Sequence, residues 1–168
     1  KAYLSLPKKG KPTAAVLVIH EWWGLNRNVK PWTDQLAADG YAALAIDLYG
    51  GVVATTRQAA MEAMQAVDRD AALATLRTAH AFLATDPRVN ARKRACIGWC
   101  FGGGWSLRLA MAAPDLDAAV IYYGRLVTDV DTLTTISGPV LGIFAEDDGG
   151  IPVSSVDEFR TVLTTLGV

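Results

Sequence analysis

Residues 98–104 read GWCFGGG, and this stretch decides the fold. It has the spacing of a nucleophile elbow, the strained turn between a strand and a helix, with cysteine at the position of the nucleophile. The residues two before and two after the nucleophile crowd each other, so both must be small, and Gly98 and Gly102 meet this requirement. The N-terminus of the following helix would face the thiol and lower its pKa. The stretch predicts that Cys100 is a nucleophile; the alternative is a glycine-rich turn around an inert cysteine.

Apolar runs of strand length alternate with helical patterns on both sides of this elbow. Strands are predicted at 14–19, 42–46, 95–98, 118–122 and 140–144, with an edge strand near the N-terminus. Helices are predicted between them. One has Trp32 on its apolar face, one long helix runs from a capping box at Thr55 to about Leu83, and the last is capped by Ser154. This order predicts a single α/β domain over residues 1–168, with a mostly parallel sheet and helices on both faces.

Composition excludes several classes of partner. The formal net charge is −1 and no basic stripe is present, so we expect neither nucleic acid nor a membrane surface as a partner. The apolar runs are too short to cross a bilayer, and the first residues do not resemble a secretory signal. Cys96 and Cys100 are placed too far apart for an intrachain disulfide. We therefore expect a cytoplasmic protein. We also expect it to be a monomer or a weak homo-oligomer.

Three segments together resemble the dienelactone hydrolase family. They are HEWWGLN at 20–26, the cysteine elbow at 98–103, and FAEDDGGIP at 144–152. The similarity extends over nearly the whole chain in the same order, and YYG at 122–124 adds to it. The resemblance implies an α/β-hydrolase fold and a Cys–His–Asp triad that hydrolyses an activated ester or lactone without a cofactor.

The same resemblance implies a role for five residues. Cys100 would be the nucleophile, Asp148 the acid, and Glu21 a carboxylate that contacts the thiol and helps to control its ionisation. The oxyanion hole would use the backbone N–H groups of Trp22 and Phe101, in agreement with the general arrangement of this fold.

Two of these assignments have alternatives. Asp148 stands four residues before Pro152, as in the family, but it could simply cap the turn, leaving Asp147 as the functional acid. Glu21 could instead be a solvated loop carboxylate.

The triad histidine is the main departure from the family pattern. Only His20 and His80 are present, whereas the order in this fold places the histidine after Asp148, one helix and one strand further on. We therefore expect a chain that lacks its last strand, histidine loop and final helix. His20 could act as the base, but a supporting role in the oxyanion loop is the alternative. His80 lies in the middle of a predicted helix and is expected to have a surface or packing role. Neither has the spacing to the cysteines that a metal site needs.

The substrate-binding residues are less defined. The family arginine that holds a substrate carboxylate is missing after Asp47. Arg125 could replace it at the end of a strand, or be a surface cation, in which case a neutral ester is the expected substrate. Tyr122 and Trp99 are further candidates, because they would make the pocket aromatic.

The sequence therefore predicts a cysteine-dependent hydrolase of a small activated ester or lactone. The missing histidine leaves a second hypothesis open, a catalytically inactive binding module with the same fold. A third is a redox-sensing thiol at Cys100.

Overall fold

The apolar runs form a six-stranded sheet in the computed structural model, which describes residues 1–168. The strands are β1 (Ala2–Ser5), β2 (Ala15–Ile19), β3 (Ala42–Ile46), β4 (Arg94–Trp99), β5 (Ala118–Tyr122) and β6 (Val140–Ile143). Their order across the sheet is β1-β3-β2-β4-β5-β6. Only β1 is antiparallel to its neighbour, so the mostly parallel sheet predicted from the sequence is confirmed.

Six helices connect or follow the strands. They are α1 (Val29–Ala38), α2 (Arg57–Gln65), α3 (Arg69–Thr85), α4 (Phe101–Ala112), α5 (Val130–Leu133) and α6 (Val153–Leu166). The short helix α5 was not predicted. No helix is both long enough and apolar enough to span a membrane.

The prediction of one long helix from Thr55 to Leu83 is wrong. The chain forms α2 and α3, separated at Asp68, whose backbone is extended and whose side chain accepts a hydrogen bond of 2.9 Å from the N–H of Ala71. An aspartate that caps a helix in this way competes with continuation of the preceding one. The cap of α2 is Thr56 rather than Thr55, and it accepts from the N–H of Ala59.

Three smaller expectations also differ from the structure. Helix α6 is capped by Pro152 rather than Ser154. Helix α4 begins at Phe101, whereas the sequence predicts a helical start at Gly103. Trp32 is 59% exposed, so it does not belong to the core face of α1.

The core lies on both faces of the sheet, because alternate side chains of a strand point to opposite sides. On one face Val16 and Ala43 pack near Val29 of α1. On the other face Leu17 and Leu44 belong to the larger cluster, which also contains the buried residues of α3 and α4. Since β2 and β3 are buried on both faces, their carboxyl ends are held rigidly at one edge of the sheet. The elbow is built at that edge.

Candidate active site

Cys100 lies in a strained turn between β4 and α4. Its φ is 55° and its ψ is −114°, in a region that residues with a side chain rarely occupy. The turn is held by two hydrogen bonds: the N–H of Cys100 donates to the carbonyl of Tyr122 at 2.9 Å, and the N–H of Gly104 donates to the carbonyl of Cys100 at 3.1 Å. Residue 100 is exposed as a result, whereas Cys96, inside β4, is 0% exposed. Neither cysteine is in a disulfide, as predicted.

The glycines on either side of the thiol are required by close backbone approaches. A Cβ at Gly98 would lie 2.2 Å from the carbonyl oxygen of Gly102. A Cβ at Gly102 would lie 2.3 Å from the carbonyl oxygen of Ile19, at the end of β2. Any side chain at either position would therefore push α4 away from the sheet, which confirms the size requirement read from the sequence.

Two carboxylates from distant parts of the chain act on the thiol. Partial burial is the main cause that raises the pKa of Cys100, and the negative charges of Glu21 and Asp148 raise it further. The N–H of Phe101 bonds the sulfur and lowers the pKa, but it does not compensate. The start of the helix therefore lowers the pKa of the thiol, as expected, but burial and the two carboxylates outweigh this effect.

Asp148 caps its own turn and also lies near the thiol. Its Oδ1 accepts hydrogen bonds from the N–H groups of Gly150, at 2.8 Å, and Ile151, at 3.2 Å, so the carboxylate caps its own turn. The same carboxylate is close enough to influence the Cys100 thiol. Asp147 is exposed and does not contribute to the thiol's pKa.

His20 is part of the scaffold and is not free to act as a base. Its Nδ1 bonds the carbonyl of Glu21 at 2.5 Å, and its Nε2 accepts from the N–H of Leu48 at 3.1 Å. The ring is completely buried and stacks on Phe101, with ring centres 5.6 Å apart, and burial lowers its pKa. This fixes a neutral imidazole that ties the loop after β2 to the loop after β3.

His80 is equally unsuited to that task. It is buried in α3, and its Nδ1 lies 3.8 Å from a carboxylate oxygen of Asp115, away from the elbow. No group of three or more His, Cys, Asp and Glu side chains is arranged to hold a metal ion.

Of the two amides predicted for the oxyanion hole, that of Phe101 lies at the thiol. The Phe101 N–H already points at the sulfur, and the loop that carries Trp22 begins where β2 contacts the start of α4 at Gly102. Amides at the start of a helix are suitable donors for a developing oxyanion.

An aromatic cavity of about 200 Å³ lies beside Glu21. Its walls include Trp99, Trp32 and Tyr123. The Trp99 ring stacks on Tyr122 and is tilted against Trp32, with ring centres 5.6 Å apart in each pair. The predicted aromatic character around Trp99 and Tyr122 is therefore present. Arg125 is not part of this cavity; it lines a different one.

Three residues near the thiol were missed by the sequence reading. Tyr123 and Trp32 line the aromatic cavity, and the buried hydroxyl of Tyr49 has no hydrogen-bond partner in the chain. Burial raises the pKa of Tyr49, and Cys100 raises it further, so the hydroxyl lies near the sulfur. Tyr49 lies three residues beyond the end of β3, and Tyr123 follows the end of β5 directly. Their position after parallel strands is the signal that could have identified them.

Known proteins with a similar sequence or structure share this architecture. A protein of Methylorubrum extorquens, provisionally named a carboxymethylenebutenolidase, is 31% identical over 99% of this chain, and the chain spans 62% of that protein. Protein usf of Aquifex pyrophilus is 35% identical over 88% of the chain, which spans 66% of it.

Solved structures are also similar to this chain. A crystal structure from Klebsiella pneumoniae, provisionally named a dienelactone hydrolase, has a TM-score of 0.87 at 28% identity, covering 99% of this chain and 75% of that one. A dienelactone hydrolase-like promiscuous phosphotriesterase from metagenomic libraries also has a TM-score of 0.87, at 27% identity, covering 99% of this chain and 72% of that one. The sequence model of the dienelactone hydrolase family matches residues 1–168. The chain therefore belongs to the dienelactone hydrolase family.

Proposed function

We propose that this protein hydrolyses a small activated ester or lactone through a covalent intermediate on Cys100. The observation that carries the proposal is the strained, exposed turn at Cys100, because a non-glycine residue at φ 55° persists only where the surrounding structure enforces it. Such strain is concentrated at functional sites, and here two glycines and two backbone hydrogen bonds maintain it.

The first step of the mechanism is removal of the thiol proton. Because burial and two carboxylates raise the pKa of the thiol, a base must accept the proton as the sulfur attacks. Glu21 is the carboxylate near the thiol in the loop after β2, and we propose that it accepts the proton. A histidine held by Asp148 stays a prediction from the family pattern, since His20 and His80 are both engaged elsewhere.

The acyl group is then transferred to the sulfur. The new S–C bond forms as the carbonyl π bond opens, and the oxyanion is held by the Phe101 and Trp22 amides. Collapse breaks the bond between the acyl carbon and the leaving oxygen, which takes up the proton held by Glu21. The resulting alcohol or enol leaves in the case of an ester and stays tethered to the acyl group in the case of a lactone. Water then attacks the thioester, releases the acid and returns the proton to sulfur. Because the two amides act on charge that develops in the transition state, removing one such donor typically costs about 3 kcal/mol.

The aromatic cavity favours an apolar or aromatic group on the substrate. Trp99, Trp32 and Tyr123 offer ring surfaces beside Glu21, and no arginine lines this cavity. A neutral ester or lactone fits it better than one that carries a carboxylate at this position.

The test is hydrolysis of a chromogenic phenyl ester and of a dienelactone by the intact protein. We expect Cys100→Ala to abolish turnover and Cys96→Ala to retain it. Cys96 is the matched control, because it is the other thiol of the chain and burial raises its pKa to about 12. Trapping of the acyl group at Cys100 by mass spectrometry adds a direct readout. Turnover that survives in Cys100→Ala would contradict the mechanism.

The occupied histidines favour one alternative, a binding module that retains the fold without catalysis. It predicts that the intact protein binds the dienelactone saturably, that no product forms, and that Cys100→Ala binds equally well.

A further inference from the structure

A second cavity, which shares Phe101 with the thiol site but does not include Cys100, is lined by three arginines. It has a volume of about 460 Å³ and lies against one face of α4, to which Phe101 and Arg108 contribute. Arg69 reaches it from the first residue of α3, and Arg125 from the loop after β5. We call this cavity the arginine groove.

The three guanidinium groups of the arginine groove lack counter-charges. None of them has a carboxylate oxygen within 4.0 Å. By contrast, Arg88 and Arg94 each pair with an aspartate, at 2.8 and 2.9 Å. The groove is therefore a concentrated positive charge in a chain whose formal net charge is −1.

The arginines are also close enough to repel one another. The pKa of Arg108 is lowered by burial first, and then by the positive charges of Arg69 and Arg125. A bound anion would relieve this repulsion, because each guanidinium would gain an opposite charge.

The side chain of Arg108 and the backbone at Arg125 lie against rigid parts of the fold. The Arg108 guanidinium lies over the ring of Trp105, 5.6 Å from its centre. The backbone N of Arg125 lies 3.5 Å from the position of a Cβ at Gly104, so the loop after β5 rests against α4. Pre-positioned donors lose less conformational entropy on binding than free surface side chains do.

The remaining wall of the groove is apolar. It is formed by Met64 and Val67, from the end of α2 and the segment after it, and by Phe101 and Trp105 of α4. A ligand that fits must therefore combine an anionic group with an apolar or aromatic part.

We propose that the arginine groove binds a phosphate monoester with an apolar or aromatic organic group. A phosphate monoester carries between one and two negative charges at neutral pH and three terminal oxygens, so it can engage more than one guanidinium at once. A carboxylate has one charge and two oxygens, which a single guanidinium fork already satisfies. Three unpaired guanidiniums therefore match the phosphate group better. This site is independent of the proposed reaction at Cys100.

The test is titration of the intact protein with phenyl phosphate, followed by calorimetry and by NMR of the arginine Nε–H signals. We expect saturable 1:1 binding that shifts the signals of Arg69, Arg108 and Arg125. We also expect Arg108→Gln and Arg125→Gln each to weaken it by about tenfold or more, the loss typical of a charged hydrogen bond. Arg125 is in an exposed loop, so its replacement leaves the fold intact. Arg92→Gln is the matched control, since Arg92 is an exposed arginine near the start of β4, at the opposite edge of the sheet.

Two further ligands define the ligand class. Benzoate should bind at least about tenfold more weakly than phenyl phosphate, and inorganic phosphate should be intermediate if the apolar wall contributes. The proposal is overturned if phenyl phosphate does not saturate, if benzoate binds as well, or if Arg92→Gln weakens binding as much as the groove variants do. Cys100→Ala should bind phenyl phosphate normally, so a failure of the hydrolase proposal leaves this result unaffected.

Discussion

Replacing Gly102 with alanine tests whether the elbow depends on the contact between α4 and the end of β2. The new Cβ would lie 2.3 Å from the carbonyl oxygen of Ile19 and 2.6 Å from that of His20. Both distances are about 1 Å shorter than the 3.4 Å at which ordinary contact begins. The opposing atoms are backbone atoms of a buried strand end and cannot rotate away. The start of α4, with the thiol attached, must therefore move by roughly 1 Å.

The expected cost follows from this displacement. Overpacking of this kind typically destabilises a domain by about 1–3 kcal/mol. For a domain of this size that corresponds to a decrease in Tm of roughly 3–10 °C, measured by circular dichroism. If Cys100 is the nucleophile, ester hydrolysis should fall by about a hundredfold, because a misplacement of about 1 Å has that effect on a reacting group.

Gly104→Ala is the control within the same helix. Its nearest neighbour would be the backbone N of Arg125 at 3.5 Å, an ordinary contact. Because alanine is favoured over glycine inside a helix by about 0.5–1 kcal/mol, this variant should be slightly more stable than the parent protein. Equal stability and equal activity of the Gly102 and Gly104 variants would refute the reasoning.

Three further predictions concern charge and capping. Glu21→Gln removes a negative charge that raises the pKa of the Cys100 thiol. Alkylation of the thiol by iodoacetamide should therefore reach its half-maximal rate at a lower pH. An unchanged pH–rate profile would contradict the electrostatic influence of Glu21 on the thiol. Burial lowers the pKa of His20 and His80 below 6.5, so the unfolded chain binds more protons than the fold as the pH falls through that value. The free energy of unfolding should therefore decrease from about pH 8 to about pH 5 in urea titrations, and His80→Gln should reduce the decrease; an identical slope in the variant would be inconsistent with this cause. Asp68→Ala removes the cap of α3 and should cost about 1 kcal/mol in the same titrations, whereas a cost near zero would show that the break between α2 and α3 does not need the cap.

The sheet could be predicted closely because its strands are buried on both faces. Residues 42–46 and 118–122 were predicted with the bounds that β3 and β5 have. The break between α2 and α3 could not be predicted, because the helical spacing of apolar residues continues across Asp68. There, one side-chain hydrogen bond decides the backbone conformation.

Only the part of the candidate site that depends on residues close together in the sequence could be predicted. The elbow around Cys100 follows from the positions of Gly98 and Gly102. The direction of the thiol's pKa shift does not, because it depends on burial and on carboxylates that only the folded chain brings to the elbow. The arginine groove could not be predicted either, because its three cations come from separate segments that only the folded chain brings together.

The contrast between the two thiols has a practical consequence for experiments on this protein. Only four positions separate them, yet one is sealed within a strand and the other faces solvent. A maleimide dye or nitroxide added to the unmodified protein should therefore attach at a single place, next to the aromatic cavity. Ligand entry could then be followed by fluorescence or electron spin resonance without any mutation of the chain.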